Sequence, residues 1–149
     1  MDRPGIGLIG LGMIGSVHGR VLSALKELEF VAASDTNPAL GKLAEEWEVP
    51  FYPDYRTMLE REKLDGVVVA VPNKLHYSVS KDCAEKGLHI LLEKPISDDL
   101  PTADLIIETA KKNHVRLLIA HHRRFNACLE RVREAIRKKE IGELLAVSI

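Results

Sequence analysis

Cysteine and aromatic residues are scarce in this 149-residue chain, which has two cysteines and 5% Phe, Trp and Tyr. Cys83 and Cys128 lack Cys-x-x-Cys spacing, so they predict neither a disulfide framework nor a metal site, and we expect a reducing compartment. His121 and His122 are adjacent and would point to opposite sides of a strand, which is poor geometry for chelation. We predict no metal, and a buried free thiol at Cys83, four residues after Val79 on one helix face.

An excess of charge of either sign is also lacking, since the net charge is −1. Such a chain has no global field to attract nucleic acid or an anionic membrane. No apolar run approaches the ~18–20 residues of a membrane span. We therefore expect one domain, no nucleic acid, no membrane and a cytoplasmic location. Residues 121–139 are locally basic; a solvated helix face is the favoured interpretation, and a nucleic-acid-binding helix is the alternative.

Glycines are concentrated near the N-terminus, where residues 7–15 read GLIGLGMIG. The run ends in G-x-G-x-x-G, with an apolar stretch before it and a helix-like stretch after it. In a dinucleotide site the first glycine permits a tight turn, the second admits the pyrophosphate and the third allows close helix packing. The helix N-terminus offers free N–H groups to the phosphates. The predicted cofactor contacts here are Gly10, Gly12, Met13, Ile14 and Gly15.

An acidic residue follows at the spacing that a ribose diol requires. Asp35 lies 20 residues beyond Gly15, after a short apolar run. Its carboxylate would accept hydrogen bonds from the ribose hydroxyls, and it favours NAD over NADP because it repels a 2′-phosphate. The alternative is that Asp35 only caps a helix that starts near Pro38.

Short apolar runs alternate with longer amphipathic runs along the chain, which predicts a parallel sheet with helices on both faces. In the first predicted helix, the residues expected to face the core are Val17, Val21, Leu22, Leu25 and Leu28. Predicted strands are 6–10, 30–34, 51–52, 66–71, 89–93, 115–120 and 144–149, and predicted helices are 14–28, 39–48, 55–62, 75–86, 100–113 and 126–139. The fold class is α/β, a doubly wound Rossmann sheet of order 3-2-1-4-5-6 that binds its ligand at the carboxyl ends of strands one and four.

The last predicted strand, 144–149, has no obvious partner in that order. It is typical of the first strand of a further domain. We therefore divide the chain into a dinucleotide-binding domain, 1–122, and a segment, 123–149, that contains a connecting helix and the first strand of a C-terminal substrate domain that is missing here.

Three further clusters lie where predicted strands end. They are the PNKLH run at 72–76, the EKP run at 93–95 and the HHRRF run at 121–125. With the glycine turn, these motifs resemble the glucose–fructose oxidoreductase and inositol dehydrogenase family (Gfo/Idh/MocA), in order and with matching spacing over essentially the whole chain. The EKP run is the most diagnostic of them.

The resemblance implies an N-terminal Rossmann domain that binds NAD or NADP and a larger α+β domain. That second domain would supply most of the substrate pocket, an Asp-x-x-x-His pair and often the subunit interface, so the full-length protein is expected to form a homo-oligomer. The implied reaction moves hydride between NAD and a secondary alcohol of a sugar, cyclitol or related polyol. This chain alone should bind NAD but turn over little or nothing. Alternatives are an NAD-binding module without catalysis and an NAD-dependent glycosidase-type relative.

By the same resemblance, Lys94 is the candidate catalytic residue. Its ammonium at a strand end could stabilise a developing alkoxide or assist proton transfer; otherwise it is a surface lysine. Glu93 should face away from Lys94 and hold either cofactor or loop. The resemblance suggests a cis bond before Pro95.

The remaining candidate cofactor contacts lie after the fourth strand. Pro72 and Asn73 belong to this set, and Asn73 is either a helix cap or a cofactor contact. His76 is either a contact to the nicotinamide ribose or a cap of the helix beside it. Arg123 and Arg124 approach substrate or cofactor, or form an interdomain ion pair.

Overall fold

The sheet explains why the chain alternates short and long apolar runs. The computed structural model describes residues 3–147. All strand pairs are parallel, and the sheet order is β3-β2-β1-β4-β5-β6, as predicted. The strands are β1 Gly5–Ile9, β2 Glu29–Ser34, β3 Phe51–Tyr52, β4 Gly66–Val69, β5 His89–Leu92 and β6 Leu117–Ile119.

Six α-helices connect or follow these strands, and the predicted bounds agree to within a few residues except at the end of the first helix. They are α1 Met13–Ala24, α2 Gly41–Glu46, α3 Tyr55–Arg61, α4 His76–Glu85, α5 Leu100–Lys112 and α6 Ala127–Arg137. Short 3-10 turns cover Pro38–Leu40, Asn73–Leu75 and His122–Phe125. In residues 3–147 no helix is both long and apolar enough to cross a bilayer.

The core lies on both faces of the sheet, because successive residues of a strand point to opposite sides. All four residues of β4 are buried. Val67 and Val69 pack in one apolar cluster, whereas Val68 packs in the other. The predicted burial of Cys83 and Val79 on α4 is confirmed, at 0% and 2% exposure. A strand covered on both faces in this way places its carboxyl end in a crevice between layers.

The predicted inward face of α1 is wrong in part. Leu22 is buried and Leu28, beyond the end of the helix, is half-buried, but Val17, Val21 and Leu25 are 44%, 51% and 42% exposed. The helix instead turns glycines toward the protein: Gly15 and Gly19 are buried with Leu22. A Cβ on Gly19 would lie 2.2 Å from the Trp47 ring. Contact through small residues lets α1 approach closely, and its branched residues are left on the outer side.

The predicted seventh strand is not observed where the structure describes it. Residues 144–147 have no regular secondary structure, and Leu145 is 90% exposed. Positions 148 and 149, the rest of that predicted strand, lie outside the described residues. An isolated strand leaves its backbone N–H and C=O groups without partners, so apolar character alone does not produce one.

Candidate functional site

A cavity of about 780 Å³ opens at the carboxyl ends of the strands, above the neighbouring strands β1 and β4. This is where the strand order changes direction, and parallel α/β sheets bind ligands at that point. Most predicted cofactor residues line it: Gly10, Gly12, Met13, Ile14, Asp35, Pro72, Asn73, Glu93 and Lys94. The fold therefore brings together side chains that are far apart in the sequence.

The glycine turn forms the floor of this cavity. Gly10 has a φ of +92°, and a Cβ there would lie 2.5 Å from the Ala70 carbonyl oxygen. Gly15 does not line the cavity; its Cβ would lie 1.9 Å from the Gly10 carbonyl oxygen, so it serves close packing of the helix on the turn. A Cβ on Gly12 would meet no atom within 4 Å apart from those of its neighbours along the chain. Gly12 therefore leaves open space in front of the first turn of α1, as a pyrophosphate requires.

Asp35 is held by backbone amides at the end of β2. Its Oδ2 accepts the Leu11 N–H at 2.7 Å and its Oδ1 accepts the Asn37 N–H at 2.8 Å. The cap of the following 3-10 turn is Asn37, whose Oδ1 accepts the Ala39 N–H, so the capping alternative for Asp35 does not apply. A carboxylate oxygen accepts more than one hydrogen bond, so each keeps capacity for a hydroxyl donor in the cavity.

At the other side of the cavity, Glu93 and Lys94 follow β5 and differ in environment. Glu93 is 7% exposed, whereas Lys94 is exposed. Glu93 Oε1 lies 2.8 Å from Nε2 of His18 on α1, and its Oε2 accepts the Lys94 N–H at 3.0 Å. Of the two roles considered for Glu93, the structure shows the contact with its own loop. The Lys94–Pro95 peptide bond is cis.

His76 lies under the cavity wall rather than in it. It is fully buried, and its ring nitrogens face two carbonyl oxygens, Nε2 to Val71 at 3.0 Å and Nδ1 to Ile96 at 3.3 Å. The histidine thereby bridges the loop after β4 and the loop after β5. Asn73 supports the same bridge, since its Nδ2 donates to Asp98 Oδ1 at 3.0 Å. The structure thus places His76 behind both loops, outside the lining of the cavity.

The sequence interpretation missed the wall that the start of α3 contributes. Asp54, Tyr55 and Arg56 line the cavity on the Asp35 side. Asp54 caps α3 by accepting the Arg56 N–H at 3.0 Å. Asp82 on α4 accepts the Tyr55 hydroxyl at 2.7 Å and pairs with Arg56 at 2.9 Å. Burial, followed by this hydrogen bond, raises the pKa of Tyr55, so its hydroxyl remains protonated. Asp54, Tyr55 and Arg56 follow β3 closely in the sequence. This position after a predicted strand was the signal that could have identified them.

The fourth predicted cluster is not brought to this cavity. His121, Arg124 and Phe125 line a separate concavity of about 320 Å³ with residues of β6 and α6. The side chains of 121–130 are exposed. Arg123 and Arg124 therefore do not line the larger cavity, and the two roles considered for them stay predictions.

The larger cavity has the lining chemistry that a dinucleotide site requires. It contains the Asp35 carboxylate, which suits a ribose diol, and an unobstructed helix N-terminus, which suits a pyrophosphate. A second pair of polar residues, Glu93 and Lys94, lies beyond the switch point, the place between β1 and β4 where the strand order changes direction.

Comparison with known proteins agrees with this assignment. Residues 5–121 match the Gfo/Idh/MocA family, described as an oxidoreductase family with an NAD-binding Rossmann fold. The chain is 32% identical over 148 residues to the rhizopine catabolism protein MocA of Rhizobium meliloti, covering 99% of this chain and 47% of that protein. It is 32% identical over 140 residues to myo-inositol 2-dehydrogenase of Thermotoga maritima, covering 93% and 42%.

A solved structure shows the same fold. The myo-inositol 2-dehydrogenase of Lactobacillus plantarum superposes with a TM-score of 0.91 at 22% identity, covering 97% of this chain and 44% of that one. The chain thus spans less than half the length of the relatives it matches. On the family match and the glycine, Asp35 and Glu93–Lys94 geometry together, the chain belongs to the Gfo/Idh/MocA oxidoreductase family and comprises its NAD-binding Rossmann domain.

Proposed function

We propose that this chain is the cofactor-binding part of an enzyme that transfers hydride between NAD and a secondary alcohol of a sugar, cyclitol or related polyol. The observation that carries the proposal is the single cavity that joins Asp35, the glycine turn and Lys94. Relatives named as an inositol dehydrogenase and a rhizopine catabolism protein support the substrate class. A homo-oligomeric full-length protein and a cytoplasmic location belong to the same proposal.

The cofactor contacts divide along the cavity. On the adenosine side, Asp35 receives the ribose hydroxyls. In the centre, Gly10, Gly12 and the first residues of α1, Met13 and Ile14, face the pyrophosphate, and Gly15 keeps the helix close. On the nicotinamide side, the proposed contacts are Pro72, Asn73, Glu93 and Lys94. His76 acts on this side only through the two loops that it bridges.

Asp35 supports a preference for NAD over NADP. Both of its oxygens are fixed at the end of β2 by backbone N–H donors. A 2′-phosphate placed against this carboxylate would meet like charge at short range, which is unfavourable. The next two residues, Thr36 and Asn37, provide no cation to offset the repulsion, and Arg56 on this side of the cavity is paired with Asp82 at 2.9 Å.

Lys94 is the proposed catalytic residue. The bound nicotinamide supplies hydride acceptance and donation. The ammonium of Lys94, at the exposed end of β5, can hydrogen-bond the reacting oxygen and stabilise negative charge that develops on it. Its backbone is held by Glu93, and the next part of its loop by His76. The cationic side chain of Lys94 on the cavity lining favours this proposal over a binding module without catalysis.

The test is calorimetric titration of the chain with NAD and, separately, with NADP. We expect NAD to bind more tightly than NADP. Asp35→Ala should weaken NAD binding about tenfold or more, since hydrogen bonds to a charged group contribute roughly 1.5–3 kcal/mol, and it should reduce the preference for NAD.

Asp54→Asn is the matched control. It removes a carboxylate from the same side of the cavity, and asparagine still caps α3. This variant should retain the preference for NAD. Equal binding of both cofactors by the unsubstituted chain would contradict the role of Asp35, and failure to bind either would contradict the proposed site.

A further inference from the structure

The pair formed by His18 and Glu93 goes beyond what cofactor binding requires. The Glu93 side chain is 9% exposed and that of His18 is 21% exposed. A carboxylate is rarely buried to this extent unless donors compensate for its lost hydration. Here the donors are the His18 ring at 2.8 Å and the Lys94 amide at 3.0 Å. The fold therefore keeps a fixed negative charge at the β5 end of the cavity.

Charged residues are divided unequally between the two halves of the cavity. Asp35, Asp54 and Arg56 follow β2 and β3, on the adenosine side. Among the lining residues that the structure describes, Glu93 and Lys94 are the charged ones beyond the switch point. Lys94 is exposed and hence screened by water and salt, whereas Glu93 is buried and screened much less.

The two redox forms of the cofactor differ in charge at the nicotinamide ring. The oxidised ring is a cation and the reduced ring is neutral. A buried carboxylate attracts the cation at an effective dielectric well below that of water, and it has no comparable interaction with the neutral ring. We propose that Glu93, held in place by His18, makes this site favour NAD⁺ over NADH. The inference rests on the proposed function, because it requires the nicotinamide to lie on the Glu93 side.

His18 is a positioning residue in this arrangement. It lies on α1 one turn beyond Gly15, so the helix that faces the pyrophosphate also fixes the carboxylate. Nε2 carries the hydrogen that is donated to Glu93. Without this donor the buried carboxylate loses one of its two partners, and it gains by turning toward water. That movement takes the charge away from its place beside the nicotinamide.

The experiment measures the dissociation constants of NAD⁺ and NADH on the same chain by calorimetry. The quantity compared is their ratio. Glu93→Gln keeps the size of the side chain but removes its charge, so the ratio should shift toward NADH by about five- to tenfold. Asp54→Asn removes a carboxylate from the adenosine side and should leave the ratio unchanged.

Two variants of His18 separate positioning from general damage. His18→Ala should shift the ratio in the direction of Glu93→Gln. His18→Gln should restore it, because a glutamine amide places a donor near the position of Nε2. A structural role alone would weaken both redox forms equally and leave the ratio of the two dissociation constants unchanged.

Each outcome decides one of the two claims. If both forms bind and the ratio does not move in Glu93→Gln or His18→Ala, the inference is overturned and the cofactor site stands. If Glu93→Gln does not fold, the two His18 variants decide the inference by the same ratio. If the unsubstituted chain binds neither form, the proposed function fails and the inference fails with it.

Discussion

Individual residues in this protein take their properties from burial as much as from chemical type. Cys83 and Cys128 are both free thiols, but one is buried and the other exposed. Burial first, and the charge of Asp82 second, raise the pKa of the Cys83 thiol to about 12 from its ordinary value of 9.0. Because the thiolate is the reactive form of cysteine, the two thiols should behave differently.

A thiol reagent at pH 8 should therefore modify Cys128 in the native chain, and Cys83 only after denaturation. Mass spectrometry would show one adduct without urea and two with it. Rapid native labelling of Cys83 would contradict its burial.

The same raised pKa has a consequence for stability. The contribution of the protonated thiol is fully present below about pH 9 and is lost as pH rises toward 12. Tyr55 also has a raised pKa. The comparison of the parent chain with Cys83→Ala isolates the cysteine: the difference in their free energies of unfolding should become smaller across that pH range.

At the scale of elements, the helix starts are specified by side chains next to them. Asp99 precedes α5, and its Oδ1 accepts the Thr102 N–H at 2.8 Å while its Oδ2 accepts the Thr102 hydroxyl at 2.9 Å. This cap satisfies a backbone donor that an α-helix leaves without a partner. The helix it starts packs Ala103, Ile106 and Ala110 into the protein.

Asp99→Ala should lower the free energy of unfolding by about 1 kcal/mol, the usual cost of losing such a cap. Urea denaturation followed by circular dichroism measures it. Asp104→Ala, on the exposed side of the same helix, is the matched control and should cost little, because alanine is a good helix former. Asp99→Asn should retain most of the stability. Equal losses in Asp99→Ala and Asp104→Ala would show that the cap contributes nothing.

At the scale of the whole molecule, the described chain consists of a packed sheet and a C-terminal segment with little burial. No residue of α6 is buried, and Leu129 and Val132 on it are 50% and 52% exposed. The family match ends at residue 121. These observations support the division into 1–122 and 123–149, which remains a prediction.

A chain that ends at His122 should therefore unfold cooperatively and bind NAD as the 149-residue chain does. Little apolar area is buried beyond that point, so the free energy of unfolding should change by less than ~1 kcal/mol. Thermal unfolding and the NAD titration are the measurements. Loss of cooperative unfolding, or of NAD binding, would mean that 123–147 belongs to the folded unit.

Local features determined what could be predicted without a structure. The order of the strands and helices follows from apolar periodicity, the glycine turn from the backbone conformation it requires, and Asp35 from its spacing to that turn. Each of these features depends on residues in the same element or in neighbouring elements of the sequence. The predicted contacts at Gly12 and Asp35 accordingly line the cavity, as do Pro72, Asn73 and Lys94, which the family resemblance supplied.

Contacts between distant parts of the chain were decided by the tertiary structure alone. His18 and Glu93 are 75 residues apart, and their pairing depends on how α1 lies against the end of β5. The sequence left two roles possible for His76, a cofactor contact and a helix cap. In the structure His76 is buried between two loops and takes neither role. The prediction of the inner face of α1 was wrong because periodicity locates only an apolar stripe. In the structure glycines take the inner positions, since they allow the helix to approach the rest of the protein more closely.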